Sequence, residues 1–153
     1  MTIETPDTAD ADALAELWVA LADGQRAFGS HLRADANRDA IRESFLRHIV
    51  TDTVRVARED DAIVGFVTVS IERGRFEQDA TRGIIENLYV VPEARGEGVG
   101  SALLAAGEDA VSAAGADVIA LDVMAENEDA RRFYDRHGYR SHRVELEKQS
   151  DTS

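Results

Sequence analysis

The residues with the clearest chemical potential lie at positions 95–100, where the sequence reads Arg-Gly-Glu-Gly-Val-Gly. The glycines follow an apolar stretch and precede an amphipathic one, so they are predicted to join a strand to the first turn of a helix. Amide groups at a helix N-terminus lack partners within the helix and attract anions. The segment therefore predicts either a seat for a phosphate-bearing ligand or a glycine-rich turn that binds nothing.

Two familiar phosphate-binding loops do not fit this segment. A dinucleotide-binding fingerprint of the form G-x-G-x-x-G that begins at Gly96 needs a glycine where the sequence has Ser101. A loop of the ATPase kind needs a lysine before its Ser or Thr, and the one lysine of the chain is Lys148. The sequence therefore disfavours a dinucleotide and a nucleoside triphosphate as the anion.

Glu86 is a candidate general base in the strand that precedes the glycines. Alternate side chains of a strand share a face, and the row that includes Glu86 is otherwise apolar: Ile84, Leu88 and Val90. Neighbours of low polarity raise the pKa of a carboxyl group and would suit Glu86 to deprotonate an ammonium substrate. A partnered structural acid is the alternative interpretation. Three further acids are reserve candidates: Glu72, Asp122 and Glu126.

The last predicted helix covers residues 128–137 and has Asn127 as its N-cap. Tyr134 shares a helical face with Phe133 and His137, so its spacing alone favours a core aromatic. His137 lies near the C-terminal end, where it suits the helix dipole, and it is assigned no chemistry.

The composition excludes several classes of function. The chain has no cysteine, which excludes disulfides, thiolate zinc sites and cysteine nucleophiles, and its four histidines show no His-x-x-x-His pair, so no metal is expected. A net charge of −13 argues against nucleic acid and anionic membranes as partners. No apolar stretch approaches the ~20 residues that cross a bilayer, and no basic and apolar leader is present, so a cytoplasmic location is expected.

The surface charge resembles that of proteins from salt-loving microbes, with 30 acidic residues and Lys148 as the single lysine among 17 basic residues. An ordinary acidic protein from a GC-rich genome is the alternative. If the halophilic interpretation is right, thermal melts should show a midpoint that rises with molar potassium chloride, because salt screens the repulsion between carboxylates. A midpoint that stays flat or falls across the series would contradict it.

The elements that must position these residues follow from periodicity. Helices are predicted over residues 8–22, with Thr8 as a cap, from about Asp39 onward, and from 99 to 114. Strands are predicted over 53–59, 62–72, 84–91, 118–124 and, closing the sheet, 139–146. Asp60 and Asp61 are predicted to form the hairpin turn between the first two of these strands. The order predicts an α/β fold with a mixed sheet, in which antiparallel N-terminal strands precede a parallel β-α-β unit. One domain is expected over residues 1–147, with a frayed tail over 148–153.

The motif at 95–100 resembles the R/Q-x-x-G-x-G/A signature of the Gcn5-related N-acetyltransferases (GNAT). The preceding strand, with its Val-x-Pro ending, and the segment 121–140, with asparagine, alanine, Phe-Tyr and a Gly-aromatic pair, are also similar to that family. The resemblance covers residues 83–140 well, whereas the N-terminal half agrees in element order alone.

The resemblance implies acetyl-coenzyme A (acetyl-CoA) as co-substrate. Its diphosphate would lie on the amides of 95–100 and on Ser101, and its pantetheine arm beside 88–90, with a backbone N–H near Val90 polarising the thioester. Tyr134 would protonate the leaving thiolate, and Asn127 would contact the cofactor. The resemblance also implies a bulge in the strand of Glu86, which would shift the face of this residue. The implied cofactor-binding residues are Leu88, Tyr89, Val90, Arg95, Gly96, Glu97, Gly98, Val99, Gly100, Ser101, Asn127 and Tyr134, and the implied catalytic residues are Tyr134 and Glu86.

The resemblance implies N-acetyl transfer to a primary amine by direct attack in a ternary complex. A small-molecule acceptor is favoured, because Val123 and Met124 stand where N-terminal acetyltransferases of the ribosomal-protein type often carry an arginine. A protein N-terminus, a non-catalytic acyl-CoA sensor, a nucleotide-binding α/β module and a homodimer remain open.

Overall fold

The computed structural model describes residues 1–74 and 76–150. In this part of the chain a mixed sheet has the strand order β1-β2-β3-β4-β5. The strands are β1 (Thr2–Glu4), β2 (Val54–Glu59), β3 (Ala62–Ile71), β4 (Arg82–Val90) and β5 (Val118–Ala120). Neighbours are antiparallel from β1 to β4, and β4 pairs with β5 in parallel. The predicted α/β class and mixed sheet are confirmed, and β1 is an edge strand that the sequence did not indicate.

The main helices are α1 (Ala11–Arg26), α2 (Arg38–Thr51), α3 (Val99–Ala113) and α4 (Glu128–Arg136). A short 3-10 turn precedes α1, and Asp7, not the predicted Thr8, caps it by accepting a hydrogen bond from the amide of Ala9 at 2.9 Å. None of the helices in the described ranges is long and apolar enough to span a membrane.

The sheet is packed on both faces. Helices α1 and α2 cover one face. The buried cluster there combines side chains of the two helices with side chains of β2 and β3: Leu14, Trp18, Phe45, Val54, Val56 and Phe66. Helix α3 covers the other face. The buried cluster there combines side chains of β3 and β4 with side chains of α3: Val67, Val69, Ile85, Val99, Leu103, Leu104 and Val111. A Cβ at Gly107 would lie 3.1 Å from Ile85 Cδ1, so this glycine lets α3 approach the sheet closely. This packing holds the N-terminal end of α3 close to the C-terminal end of β4.

The hairpin between β2 and β3 has the predicted turn. Asp60 and Asp61 have φ of 49° and 67°, the left-handed conformation of both central residues in a type I′ turn. Short polar side chains tolerate this conformation better than most.

The C-terminal part differs from the prediction. The strand predicted over 118–124 ends at Ala120, and the segment 139–146 has no strand partner within the described residues. Val144 and Leu146 are 77% and 89% exposed, so the alternation of this segment does not bury an apolar face. Alternation predicts a strand only where a neighbouring edge accepts it.

Candidate active site

The turn before α3 presents its backbone to any ligand that approaches the helix. Gly96 and Gly98 have φ of 82° and 84°, which favours glycine. Gly98 is the N-cap, and its carbonyl accepts from the amide of Ala102 at 3.1 Å, so the amides of 99–101 precede the hydrogen-bond ladder of the helix. If a Cβ were added at either glycine, no described atom would lie within 4 Å of it, apart from atoms of the glycine and of the residues next to it in the sequence. This geometry suits an anion seat.

Arg95 fastens this turn to the end of β4. Its Nε donates to the carbonyl oxygen of Val90 at 2.9 Å, and its guanidinium carbon lies 5.6 Å from the centroid of the Tyr89 ring. The contacts give Arg95 a structural role at the turn while the residue stays exposed. Glu97, within the turn, is also exposed.

One edge of β4 is left free where it leads to the turn. The β4 and β5 ladder runs from the pair Arg82 and Val118 to the pair Ile84 and Ala120. Residues 88–90 continue to pair with β3 on their other side. Their β5-side edge therefore has no strand partner among the described residues, and unpaired backbone groups of this kind accept an extended ligand as an added strand.

Glu86 sits in a bulge of β4. Thr68 pairs with Asn87 and Val69 pairs with Ile85, so Glu86 lies between two consecutive pairs without a partner on β3. An extra residue of this kind changes which face the following side chains point to.

Simple alternation placed Glu86 on the face of Leu88 and Val90, and the bulge that the resemblance implied moves it off that face. Leu88 and Val90 pack with the cluster beneath α3, whereas Glu86 contacts His48 of α2 on the opposite face. The carboxylate thus leaves the apolar row in which the sequence placed it. Its side chain is 36% exposed.

The direction of the Glu86 pKa also differs from the prediction. The nearest oxygen of the carboxylate lies 3.6 Å from Nε2 of His48, a contact longer than a normal hydrogen bond. His48 lowers the pKa of the Glu86 carboxyl, partial burial opposes that shift, and a hydrogen bond with Ser70 adds to the lowering. His48 is itself held through Nδ1, 2.7 Å from Thr53 Oγ1. Glu86 is consequently ionised at neutral pH, and the lowered pKa makes it a weaker base than an ordinary glutamate.

Tyr134 is partly buried on α4, among aromatic rings. Its ring meets Phe133 and Tyr139 edge to face, with centroids 5.1 Å and 5.8 Å away. Burial raises the pKa of Tyr134 to about 12, so its hydroxyl stays protonated at neutral pH. No described residue forms a hydrogen bond with that hydroxyl, whereas the hydroxyl of Tyr139 donates to Glu108 at 2.7 Å. Tyr134 therefore combines a core position with an available donor.

Asn127 caps α4 as predicted. Its Oδ1 accepts a hydrogen bond from the amide of Ala130 at 3.1 Å. Arg131 donates to the carbonyl oxygen of Ala125 at 3.1 Å, and Arg132 pairs with Asp129 on the helix surface. These contacts are structural, and they keep the beginning of α4 in place.

The reserve acids lie elsewhere. Glu72 pairs with Arg82 at 3.0 Å, near the far end of β4, and Asp122 and Glu126 are exposed in the segment after β5. Within residues 1–74 and 76–150 no group of three or more His, Cys, Asp or Glu side chains could hold a metal ion.

Two histidines to which the sequence pattern gave no chemical role take part in this region. His48 reaches Glu86 from α2, and His137 reaches Ser101, with its Nε2 3.0 Å from the hydroxyl oxygen. Each contact joins residues 36 or more positions apart. Local sequence patterns do not encode contacts of this kind. The bulge that the resemblance implies was the one signal of the contact between His48 and Glu86.

Comparison with known proteins finds relatives of this chain in sequence. Residues 13–139 match the family model described as "Acetyltransferase (GNAT) family". The chain is 31% identical over 111 residues to the aminoalkylphosphonate N-acetyltransferase of Salmonella typhimurium, an alignment that covers 71% of each protein.

Solved structures share the fold. A mutant of the BH1408 protein from Bacillus halodurans superposes with a TM-score of 0.84 at 21% identity, over 98% of this chain and 99% of that one. An aminoglycoside N-acetyltransferase in complex with CoA superposes with a TM-score of 0.73 at 18% identity, over 98% of this chain and 94% of that one.

Proposed function

The chain belongs to the GNAT family of acetyltransferases, and from this premise we propose that it transfers the acetyl group of acetyl-CoA to a primary amine by direct attack in a ternary complex. One observation carries the proposal. The free edge of β4 at 88–90 leads directly into the open amides at the beginning of α3. The extended pantetheine arm of acetyl-CoA would lie along the free edge, and its diphosphate would reach the open amides.

The coenzyme would be held mainly by backbone groups. The diphosphate would accept hydrogen bonds from amides of the turn at 96–101 and from the Ser101 hydroxyl, and the pantetheine amides would pair with the edge at 88–90. The CoA complex of the aminoglycoside N-acetyltransferase, which has the same fold, supports this co-substrate. Asn127 and Tyr134 would approach it from α4.

We expect Gly98→Asn to weaken acetyl-CoA binding by roughly tenfold with little loss of stability. Asparagine tolerates a left-handed backbone, so the main change is a side chain in the open space above the turn, where the diphosphate would lie. Gly115→Asn is the matched control, because Gly115 also has a positive φ, of 101°, and open space, but it follows the other end of α3. Calorimetric titration of both variants compares them. Equal affinities would mean that the turn is structural.

The reaction needs a neutral amine and a polarised thioester. Glu86 would take the proton from the acceptor ammonium, directly or through a water molecule, and the amine nitrogen would attack the thioester carbonyl carbon. A backbone N–H near Val90 would stabilise the developing oxyanion. The carbon–sulfur bond would then break as the nitrogen loses its remaining extra proton to water, which yields the neutral amide, and the thiolate would leave beside the hydroxyl of Tyr134.

A small molecule is the favoured acceptor. The relative from Salmonella typhimurium is named for an aminoalkylphosphonate, which is a small amine. The ionised Glu86 beside His48 would attract an ammonium group of such a substrate. A protein N-terminus is the second candidate.

A panel of amines tests the activity and the acceptor together. Release of the coenzyme A thiol would be followed with small amines, amino acids and short peptides at fixed acetyl-CoA. Turnover with a small amine that exceeds turnover with every peptide supports the proposal. Preference for peptides would favour the second candidate, and coenzyme binding without turnover would favour a sensor role.

A further inference from the structure

His137 joins the end of α4 to the first turn of α3. Its Nδ1 lies 2.7 Å from the carbonyl oxygen of Phe133, and its Nε2 lies 3.0 Å from Oγ of Ser101. The imidazole also lies against the Phe133 ring, with centroids 4.5 Å apart. Both ring nitrogens are therefore engaged, and the partly buried ring contacts Ser101, the last residue of the proposed diphosphate seat.

These two partners determine where the protons lie. A carbonyl oxygen can only accept, so Nδ1 carries a proton and donates it to Phe133. In the neutral ring Nε2 is then an acceptor, and the Ser101 hydroxyl donates to it. In that state Ser101 presents lone pairs, not a hydrogen, to a phosphate. When Nε2 gains a proton it donates to Oγ, and the hydroxyl hydrogen is free to turn toward the anion.

We propose that His137 is a positioning residue for the coenzyme, which holds the Ser101 hydroxyl and, on taking up a proton, converts it into a donor for the diphosphate. The inference rests on the proposed function, because it needs a diphosphate at the beginning of α3. Coenzyme binding then takes up a proton at His137. The affinity falls as the pH rises between about 5 and 8, where histidine side chains change charge.

The surrounding charges agree with this coupling. On α4 the guanidinium carbon of Arg136 lies 5.9 Å from the centroid of the Phe133 ring, which the His137 ring also contacts. From the turn before α3, the charged residues are Arg95 and Glu97, both exposed. A bound diphosphate adds negative charge beside Ser101 and favours the protonated ring.

Proton uptake is measured by calorimetric titration in two buffers of different ionisation enthalpy. The probe is dephospho-coenzyme A, which keeps the diphosphate but lacks the phosphate monoester that itself titrates near pH 6. For the wild-type chain we expect net proton uptake at neutral pH, and an affinity about tenfold weaker at pH 8 than at pH 5.5, as for one hydrogen bond to a charged group.

His137→Asn should abolish both the proton uptake and the pH dependence. His142→Asn is the matched control, because His142 is an exposed histidine of the C-terminal segment and should leave both unchanged. Ser101→Ala removes the other partner of the same contact, the hydroxyl that His137 holds. It should give the same flat profile, and a double variant should add nothing further. This second route keeps the test valid if His137→Asn does not fold.

The outcomes separate the two proposals. A wild-type chain that binds neither dephospho-coenzyme A nor coenzyme A overturns the proposed function and this inference with it. Binding without proton uptake, or proton uptake that persists in the Ser101→Ala or His137→Asn variant, overturns the role of His137 alone.

Discussion

Glu86→Gln is expected to move the pH profile of turnover to higher pH and to lower turnover at neutral pH by about 10²- to 10⁴-fold, the range of general acid–base catalysis. His48 lowers the pKa of the Glu86 carboxyl, so the carboxylate of the wild-type protein stays ionised at neutral pH. It takes up a proton only when the pH falls through that lowered pKa. Without the base, only the neutral fraction of the acceptor reacts. That fraction grows tenfold per pH unit below an amine pKa of about 10.4.

The measurement is steady-state kinetics of both proteins across pH with one amine. Asp109→Asn is the control for loss of one carboxylate, because Asp109 is exposed on α3. Circular dichroism checks that Glu86→Gln is folded, since His48 loses its ionised partner in this variant. A profile that does not move in folded Glu86→Gln would mean that another group or bulk water accepts the proton.

Tyr134→Phe is expected to lower turnover by roughly 10- to 100-fold and to leave acetyl-CoA affinity nearly unchanged. The pKa of Tyr134 is raised to about 12, well above that of a thiol at about 8.5, so complete proton transfer to the thiolate is uphill. A hydrogen bond from the hydroxyl to the developing thiolate is the role consistent with this value. Such a bond to a charged group stabilises by about 1.5–3 kcal/mol, which sets the expected loss.

Tyr139→Phe is the matched control. The two rings are in contact, but the Tyr139 hydroxyl is already bonded to Glu108. Tyr139→Phe should therefore lower the free energy of unfolding and spare turnover. The comparison must be made where the chemical step limits the rate, for example in single-turnover experiments. Full turnover by Tyr134→Phe under those conditions would remove Tyr134 from the mechanism.

Local sequence patterns were sufficient for the elements that carry the proposed coenzyme site. The glycines at 96 and 98 predicted the turn before α3, and their positive φ explains why glycine stands there. Asn127 was recognisable as the cap of α4, and Asp60 and Asp61 as a hairpin turn, because capping and turn formation depend on residues a few positions apart. The order of these elements also sufficed for the α/β class and the mixed sheet.

Strand pairing was beyond reach of the same patterns. Residues 118–124 are apolar except for Asp122, yet the strand ends at Ala120. The alternating residues 139–146 form no ladder in the described chain. A strand exists only where a second edge supplies hydrogen bonds, and that edge comes from a distant part of the sequence.

The sequence by itself determined the fold class, the glycine turn and the identity of the candidate groups Glu86, Tyr134 and Ser101. Tertiary structure alone decided how those groups are used. Glu86 is itself the unpaired residue of the β4 bulge and faces His48 instead of the apolar row, which reversed the expected direction of its pKa. The contact between His137 and Ser101 likewise requires α4 to pack on α3. Face and partner depend on register and packing between distant segments, which local periodicity does not encode.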